Sequence, residues 1–259
     1  MRGEALLGTT VAEASGACLL TVDGVLGTRT GPELDGLLRK QLLDRGRLLV
    51  DVTRLELSST AVLASFPAAL AATGGWPAAR LVVFAAGGPV VDGMRQAGRH
   101  REVPVARDLP EALALLERRP ARVRRTTDLP GGPEAAPFTR LVLRSAGEDW
   151  GLPADVVDRA VIVANELVSN VVEHTMGPGE LGLAHSRRGL WISVRDGSSA
   201  RPVLTAESQG LGLRAVAELS RTWGVTPTRS GKSVWALIGD GSAGDGSADG
   251  PGPASGRRA

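Results

Sequence analysis

The sequence predicts an α/β protein of two domains, and three observations carry that prediction. At 259 residues the chain exceeds one ordinary domain, since domains most often hold about 100 to 150 residues. The first half alternates strand and helix signals, the order of an α/β layer sandwich. The second half carries one long apolar helix followed by short β-runs separated by glycines. The boundaries expected are 1–119 and 121–239, with a tail from 240 to 259.

In the first half the signals run Ala17–Val22, a helical period from Pro32 to Leu43, Leu48–Val52, Ala61–Ala72, Leu81–Ala85 and Pro89–Ala97. Pro32 suits a first helical turn, and Gly46 closes that helix before Leu48-Leu49-Val50. A last helix fits Pro110–Arg119, and Pro120 stops it.

The second half begins with a strand candidate, Val123–Leu129, and a turn at Pro130-Gly131-Gly132-Pro133. A helix then puts Phe138, Leu141, Val142 and Ser145 on one face, with Trp150 on its last turn. Gly151 and Pro153 interrupt the chain before a helix from Asp155 to about His174. That helix is apolar nearly all round, which predicts that it is mostly buried and that its polar residues have a reason to be there. Leu190–Val194 reads as a strand, Ala215, Val216 and Leu219 as a helix, and Trp223–Thr228 with Ser233–Ile238 as a closing pair. From Gly239 onward glycine, serine, aspartate and proline dominate, a composition that cannot bury apolar surface.

Composition narrows the function classes. Apolar residues make up 42% of the chain and aromatic ones 3%, with no tyrosine, so stacking on nucleic-acid bases is a poor basis for function. Thirty Lys and Arg against 28 Asp and Glu leave +2, too small a charge to imply a nucleic-acid footprint. The local run Arg118, Arg119, Arg122, Arg124 and Arg125 reads as a solvated face at a domain junction. Cys18 stands alone, so neither an internal disulfide nor a zinc site is expected, and a reducing compartment fits. The longest apolar run, Ala61–Ala72, is about half a membrane span, which predicts a soluble, cytoplasmic protein.

The order of elements over about residues 10 to 119, with Leu48–Leu63 reading as strand, loop and helix, resembles the STAS domain of anti-sigma-factor antagonists. That family carries an Asp-Ser-Ser-Gly or Asp-Ser-Thr-Gly motif whose second hydroxyl residue accepts phosphate. The matching stretch here is Leu57-Ser58-Ser59-Thr60-Ala61-Val62. Counted from Asp51, Ala61 falls on the acceptor position; a slip of one residue offers Thr60, and the motif's Asp and Gly are absent. Ser58, Ser59 and Thr60 also read simply as caps of the next helix.

On the long helix, Glu166, Asn170 and Glu173 are spaced four and three apart and share one stripe, with His174 at its edge. By spacing alone that stripe is equally a solvent-facing one. Its wording, Asn165-Glu166-Leu167-Val168-Ser169-Asn170-Val171-Val172-Glu173-His174, resembles the N-box of GHKL ATPases in the form found in serine-kinase anti-sigma factors. The resemblance implies a Bergerat two-layer α/β sandwich over 121–239 with ATP and magnesium as cofactors. Asn170 would then be a magnesium ligand, hard oxygen being what that cation prefers, and Glu166 the catalytic group that orients or deprotonates the attacking hydroxyl. His174 reads as a helix-end residue.

Further along, Arg195-Asp196-Gly197-Ser198 looks like the family's first glycine box, with Asp196 reading adenine; an Asp-Gly strand end is also a common turn. Gln209-Gly210-Leu211-Gly212-Leu213 leads into a helix, where Gly210 and Gly212 would let backbone approach phosphates. Ser230-Gly231-Lys232 joins the closing strands, as in the family's last hairpin. Gly231-Lys232-Ser233 is no P-loop, because Thr226 occupies the position of the required glycine and a strand follows. Only 13 residues separate Asp196 from Gly210, a short segment where relatives carry the ATP lid.

The reading is therefore a STAS-like α/β layer sandwich followed by a GHKL sandwich: an ATP-binding regulator of anti-sigma type, and a protein serine/threonine kinase acting on STAS-type antagonists. The alternative is an inactive, nucleotide-responsive module that sequesters a partner. The partners implied are a STAS-type antagonist or the chain's own N-terminal domain, a sigma factor, and a second copy of the chain; no direct nucleic acid and no membrane are expected.

Overall fold

The structure, a computed structural model, describes residues 7–174, 179–196, 211–228 and 231–239. The expected tail from 240 lies outside them. The chain divides into two compact units, Met1–Arg125 and Thr126–Ala259, each mixed α/β with a five-stranded sheet.

In the first unit the order is β1 (Gly8–Ala14), β2 (Ala17–Leu26), α1 (Gly31–Arg45), β3 (Arg47–Leu57), α2 (Ser65–Ala72), β4 (Arg80–Phe84), α3 (Pro89–Gln96), β5 (Val105–Ala106) and α4 (Leu109–Leu116). The sheet runs β1-β2-β3-β4-β5. β1 is antiparallel to β2 and the remaining pairs are parallel. β1 and β2 are joined by Ser15 and Gly16, both at positive φ (50° and 75°), the backbone that a two-residue hairpin turn needs to match strand twist.

α1 buries Leu34, Leu38 and Leu42 along one stripe and ends at Gly46, whose φ of 69° lets its N–H donate to the Leu42 carbonyl. β3 lies between layers: Leu48 and Val50 enter one core, with Leu20, Leu34 and Phe66, and Leu49 enters the other, with Val82 and Leu116. All three are fully buried, as a strand covered on both faces requires. Asp108 caps α4 by accepting from the Glu111 N–H at 2.9 Å. Glu117, just past α4, bonds to Arg47 and, at 2.6 Å, to Arg80, and the Arg47 bond above all holds its carboxyl below the ordinary range.

The second unit contains β6 (Val123–Leu129), within which the division falls, α5 (Ala135–Trp150), α6 (Ala154–His174), β7 (Gly179–Ser186), β8 (Gly189–Asp196), α7 (Leu211–Leu219), β9 (Thr222–Thr228) and β10 (Gly231–Ile238). Its sheet order is β6-β7-β8-β10-β9, and β7, β8, β10 and β9 pair antiparallel in that order. α6 packs against β8, β10, α5 and α7. On the helix side β8 presents Leu190, Ile192 and Val194 and β10 presents Val234, Ala236 and Ile238, all buried. On the other face Trp191 stacks on Trp235 with centroids 4.4 Å apart, and Trp235 Nε1 donates to Thr226 Oγ1 at 3.0 Å.

One expectation needs correction. The face predicted for α5 (Phe138, Leu141, Val142, Ser145) is not the buried one: Ala135, Thr139, Leu143, Ala146 and Trp150 face inward, and Leu141 is 67% exposed. Thr139 is fully buried, its hydroxyl donating to the Ala135 carbonyl at 2.8 Å, and this satisfaction makes a polar residue admissible there. α6 is mostly buried, as expected, and Ile162 is its apolar exception at 46% exposed.

Candidate functional site

α6 buries Val156, Ala160, Val163, Ala164, Leu167 and Val168. A helix brings residues seven apart nearly into line, so Asn170 extends the line of Val156 and Val163, both fully buried. Asn170 itself is only half-buried, and a carboxamide stands where the pattern would otherwise put an aliphatic chain. Glu166, also half-buried, lies about 40° further round at 100° per residue, toward the exposed Ile162. Of Glu173 and His174 the structure describes the helical backbone. Asn165, which no sequence motif assigns a role, has its Oδ1 buried without a hydrogen-bond partner among the described residues. A buried acceptor of that kind costs about 1 to 3 kcal/mol unless water or a ligand meets it.

The topology brings the C-terminal turns of α6 to one end of the second sheet. At the opposite end, Arg159 on the second turn of α6 donates to the carbonyl of Gly239, just beyond β10, at 2.9 Å. α6 therefore runs toward the start of β10. That same end holds Asp196, the last residue of β8, directly across from Lys232, and Gly231, across from Thr228 in the β9–β10 hairpin. The first residues of β7 lie there too, Glu180 pairing with Arg195. α7 ends at Leu219 and β9 begins at Thr222, three residues on and paired with Leu237 at the far end. The N-terminal residues of α7, Leu211 and Gly212, therefore start toward the Asp196 end.

Of the residues singled out from sequence, Glu166, Asn170, Asp196, Gly212 and Gly231 are thus carried by elements that converge on one sheet end. Gly210 lies outside the described residues, as do Gly197 and Ser198. In the sequence Lys232 reads as part of a turn once the P-loop is rejected; the strand register that sets it across from Asp196 depends on hairpin pairing over a long stretch, which no local motif announces.

In the first unit, the Ser58–Thr60 stretch does not cap a helix through its side chains. Ser59 precedes a short 3₁₀ turn, Thr60–Ala64, and makes no capping bond, while Ser58 Oγ donates to the Leu26 carbonyl at 3.2 Å. Thr60 and Ala61 are exposed. Much of the arginine run is engaged locally: Arg119 lies over the Trp76 ring at 5.8 Å, Arg122 pairs with the buried Glu102 at 3.4 Å, and Arg125 donates to the Gly74 carbonyl at 3.0 Å. Among the described residues no helix is long and apolar enough to cross a membrane.

No family model matches the chain, and no curated protein does. Among solved structures the chain is similar to an anti-sigma factor antagonist from Mycobacterium paratuberculosis, at 22% identity and a TM-score of 0.39, over 43% of this chain and 95% of that one.

Proposed function

We propose that the chain is an ATP-binding regulatory protein of anti-sigma type whose second unit is a serine/threonine kinase for STAS-type antagonists. The observation that carries the reading is the convergence, at one end of an antiparallel sheet, of the Glu166–Asn170 turns of α6, the Asp196 end of β8, the start of α7 and the Gly231 hairpin. A helix N-terminus beside a carboxylate and a carboxamide suits a nucleotide, with backbone N–H groups for phosphate and the carboxylate for an adenine amino group.

Asn170 fits magnesium by its chemistry, as a neutral oxygen donor at the edge of an apolar face. Among the described residues no three His, Cys, Asp or Glu side chains gather to hold a metal, so the nucleotide and water would complete the coordination. When bound, that ion would offset the negative charge of the phosphates. Glu166, one turn away and partly open to solvent, would accept the proton of the attacking serine or threonine hydroxyl and hold its oxygen in line. On this reading the acceptor is a hydroxyl of a STAS-type antagonist or, in the chain's own first unit, the exposed Thr60, since Ala61 has none.

A second reading, a binding module that senses nucleotide without transfer, draws on the 13 residues between Asp196 and Gly210, a short span for a lid that must close over a reacting phosphate. Incubation with γ-labelled ATP, alone and with a STAS-type antagonist, separates the two. Label on the antagonist supports the kinase; nucleotide binding without label leaves the module; absence of nucleotide binding overturns both.

A further inference from the structure

Three of the four sheet edges carry devices that discourage further pairing. β5 is two residues long and follows Pro104, β6 carries Arg124, Arg125 and Asp128, and β9 contains Gly224 and Pro227. Short length, charge and proline are the usual means of blunting an edge. β1 is neither short nor interrupted by proline. It spans seven residues, Gly-Thr-Thr-Val-Ala-Glu-Ala, pairs with β2 one for one without a bulge, and has Glu13 as its single charge. Thr9 to Glu13 are all exposed, and among the described residues no strand pairs with its outer edge.

Val11 makes the same point from the side chains. It lies opposite Leu20, which is fully buried under α1, yet Val11 is 52% exposed. An aliphatic side chain on the core face of the sheet is thus left uncovered at the edge.

We propose that β1 is an association edge that takes the β1 of a second copy, antiparallel and centred on Val11, so that the two first-unit sheets join. The charges select this arrangement. Centred on Val11, the pairing sets each Glu13 across from the partner copy's Thr9 and leaves the two carboxylates four residues apart, roughly 14 Å at 3.4 Å per residue. That exceeds the Debye length of about 8 Å at physiological salt. Parallel in-register pairing would instead stack the two carboxylates about 5 Å apart, a like-charge contact that disfavours it. The two Val11 side chains meet on the α1 face and shield one another from water.

Sedimentation of the full-length chain over a range of concentrations tests the edge. The expected result is a concentration-dependent dimer whose dissociation constant rises tenfold or more in Val11→Lys, with circular dichroism and melting unchanged because the position is half-exposed. Val11→Cys supplies a readout independent of folding margin. Directly opposed antiparallel residues have Cα atoms about 4.5 or 5.5 Å apart, and both distances suit a disulfide. Mild oxidation should therefore link Val11→Cys dimers far more efficiently than Val25→Cys or the wild type, whose Cys18 is buried. A chain that stays monomeric throughout, or a dimer that Val11→Lys leaves intact and Val11→Cys does not link, overturns the proposal.

Discussion

Glu166 and Asn170 sit one helical turn apart and should fail differently. Asn170→Ala removes an oxygen donor, so Mg-ATP binding itself should weaken in a titration. Glu166→Gln keeps size and helix propensity while removing the charge that would handle a hydroxyl proton. Binding should then stay within a few-fold while phosphate transfer slows by about 10² or more, the scale of a lost general base. Near-normal transfer by Glu166→Gln would remove its catalytic role. Cys18 makes a different residue-scale statement, about pH. Burial raises its pKa above 9.0, an effect larger than the opposing pull of Arg45, and its Sγ donates to Gln41 Oε1 at 3.3 Å. A raised folded pKa contributes stability that is fully present below the unfolded value and is lost as pH rises through the folded one. Denaturant midpoints should therefore fall as pH rises above the ordinary thiol range. Cys18→Ala should flatten that part of the profile, and an unchanged alkaline slope would show that other groups set it.

At the scale of elements, α5 offers a direct test of which face is buried. Leu143→Ala should cost about 2 to 5 kcal/mol in equilibrium unfolding, as a fully enclosed leucine does, while Leu141→Ala should stay within about 0.5 kcal/mol. The reverse ranking would restore the face that hydrophobic spacing alone suggested. That spacing misled because Thr139 pays its own hydrogen-bond debt inside the helix, so a polar letter marks a core position. Elsewhere local signals sufficed. Pro32 and Gly46 bracket α1, Leu48 to Val50 announce a strand, and Val123–Leu129 is a strand with the ends expected. β7, Gly-Glu-Leu-Gly-Leu-Ala-His-Ser, has no β-branched or large aromatic residue, and pairing makes it a strand; β1, Gly-Thr-Thr-Val-Ala-Glu-Ala, has Thr-Thr-Val but no apolar alternation that marks a strand. A hairpin turn at Ser15-Gly16 was the signal available for β1. Buried Gly182 in β7 lies against Ser193 of β8, where a Cβ would come within 2.7 Å of its hydroxyl, so that glycine serves close strand packing that residue patterns do not express. The candidate site was legible where one helix wrote it, at Glu166 and Asn170; the pairing of Lys232 with Asp196 depends on a register set by the whole hairpin.

The nucleotide-binding reading can be tested on the second unit alone, provided the cut respects the sheet. The compact division falls after Arg125, but a cut there would halve β6, whose ends Val123 and Leu129 are 2% and 4% exposed. Removing β6 would leave β7 as an open edge, with its buried Leu181 and Leu183 one strand closer to water, an invitation to aggregation. A segment from Ala121 to Asp240 keeps that strand whole and should fold, whereas one starting at Pro130 should be less soluble and melt lower. The longer segment should bind Mg-ATP in a calorimetric titration, and absence of binding at millimolar nucleotide would sink the ATP assignment. Asp196→Asn in the same segment adds a control for specificity. A hydrogen bond to a charged group is worth about 1.5 to 3 kcal/mol, so affinity for ATP should fall roughly 10- to 150-fold and the preference for adenine over guanine should shrink. Loss of affinity without loss of that preference would mean that Asp196 supports the end of the sheet and does not read the base. Equal affinities for both proteins would leave it a turn residue.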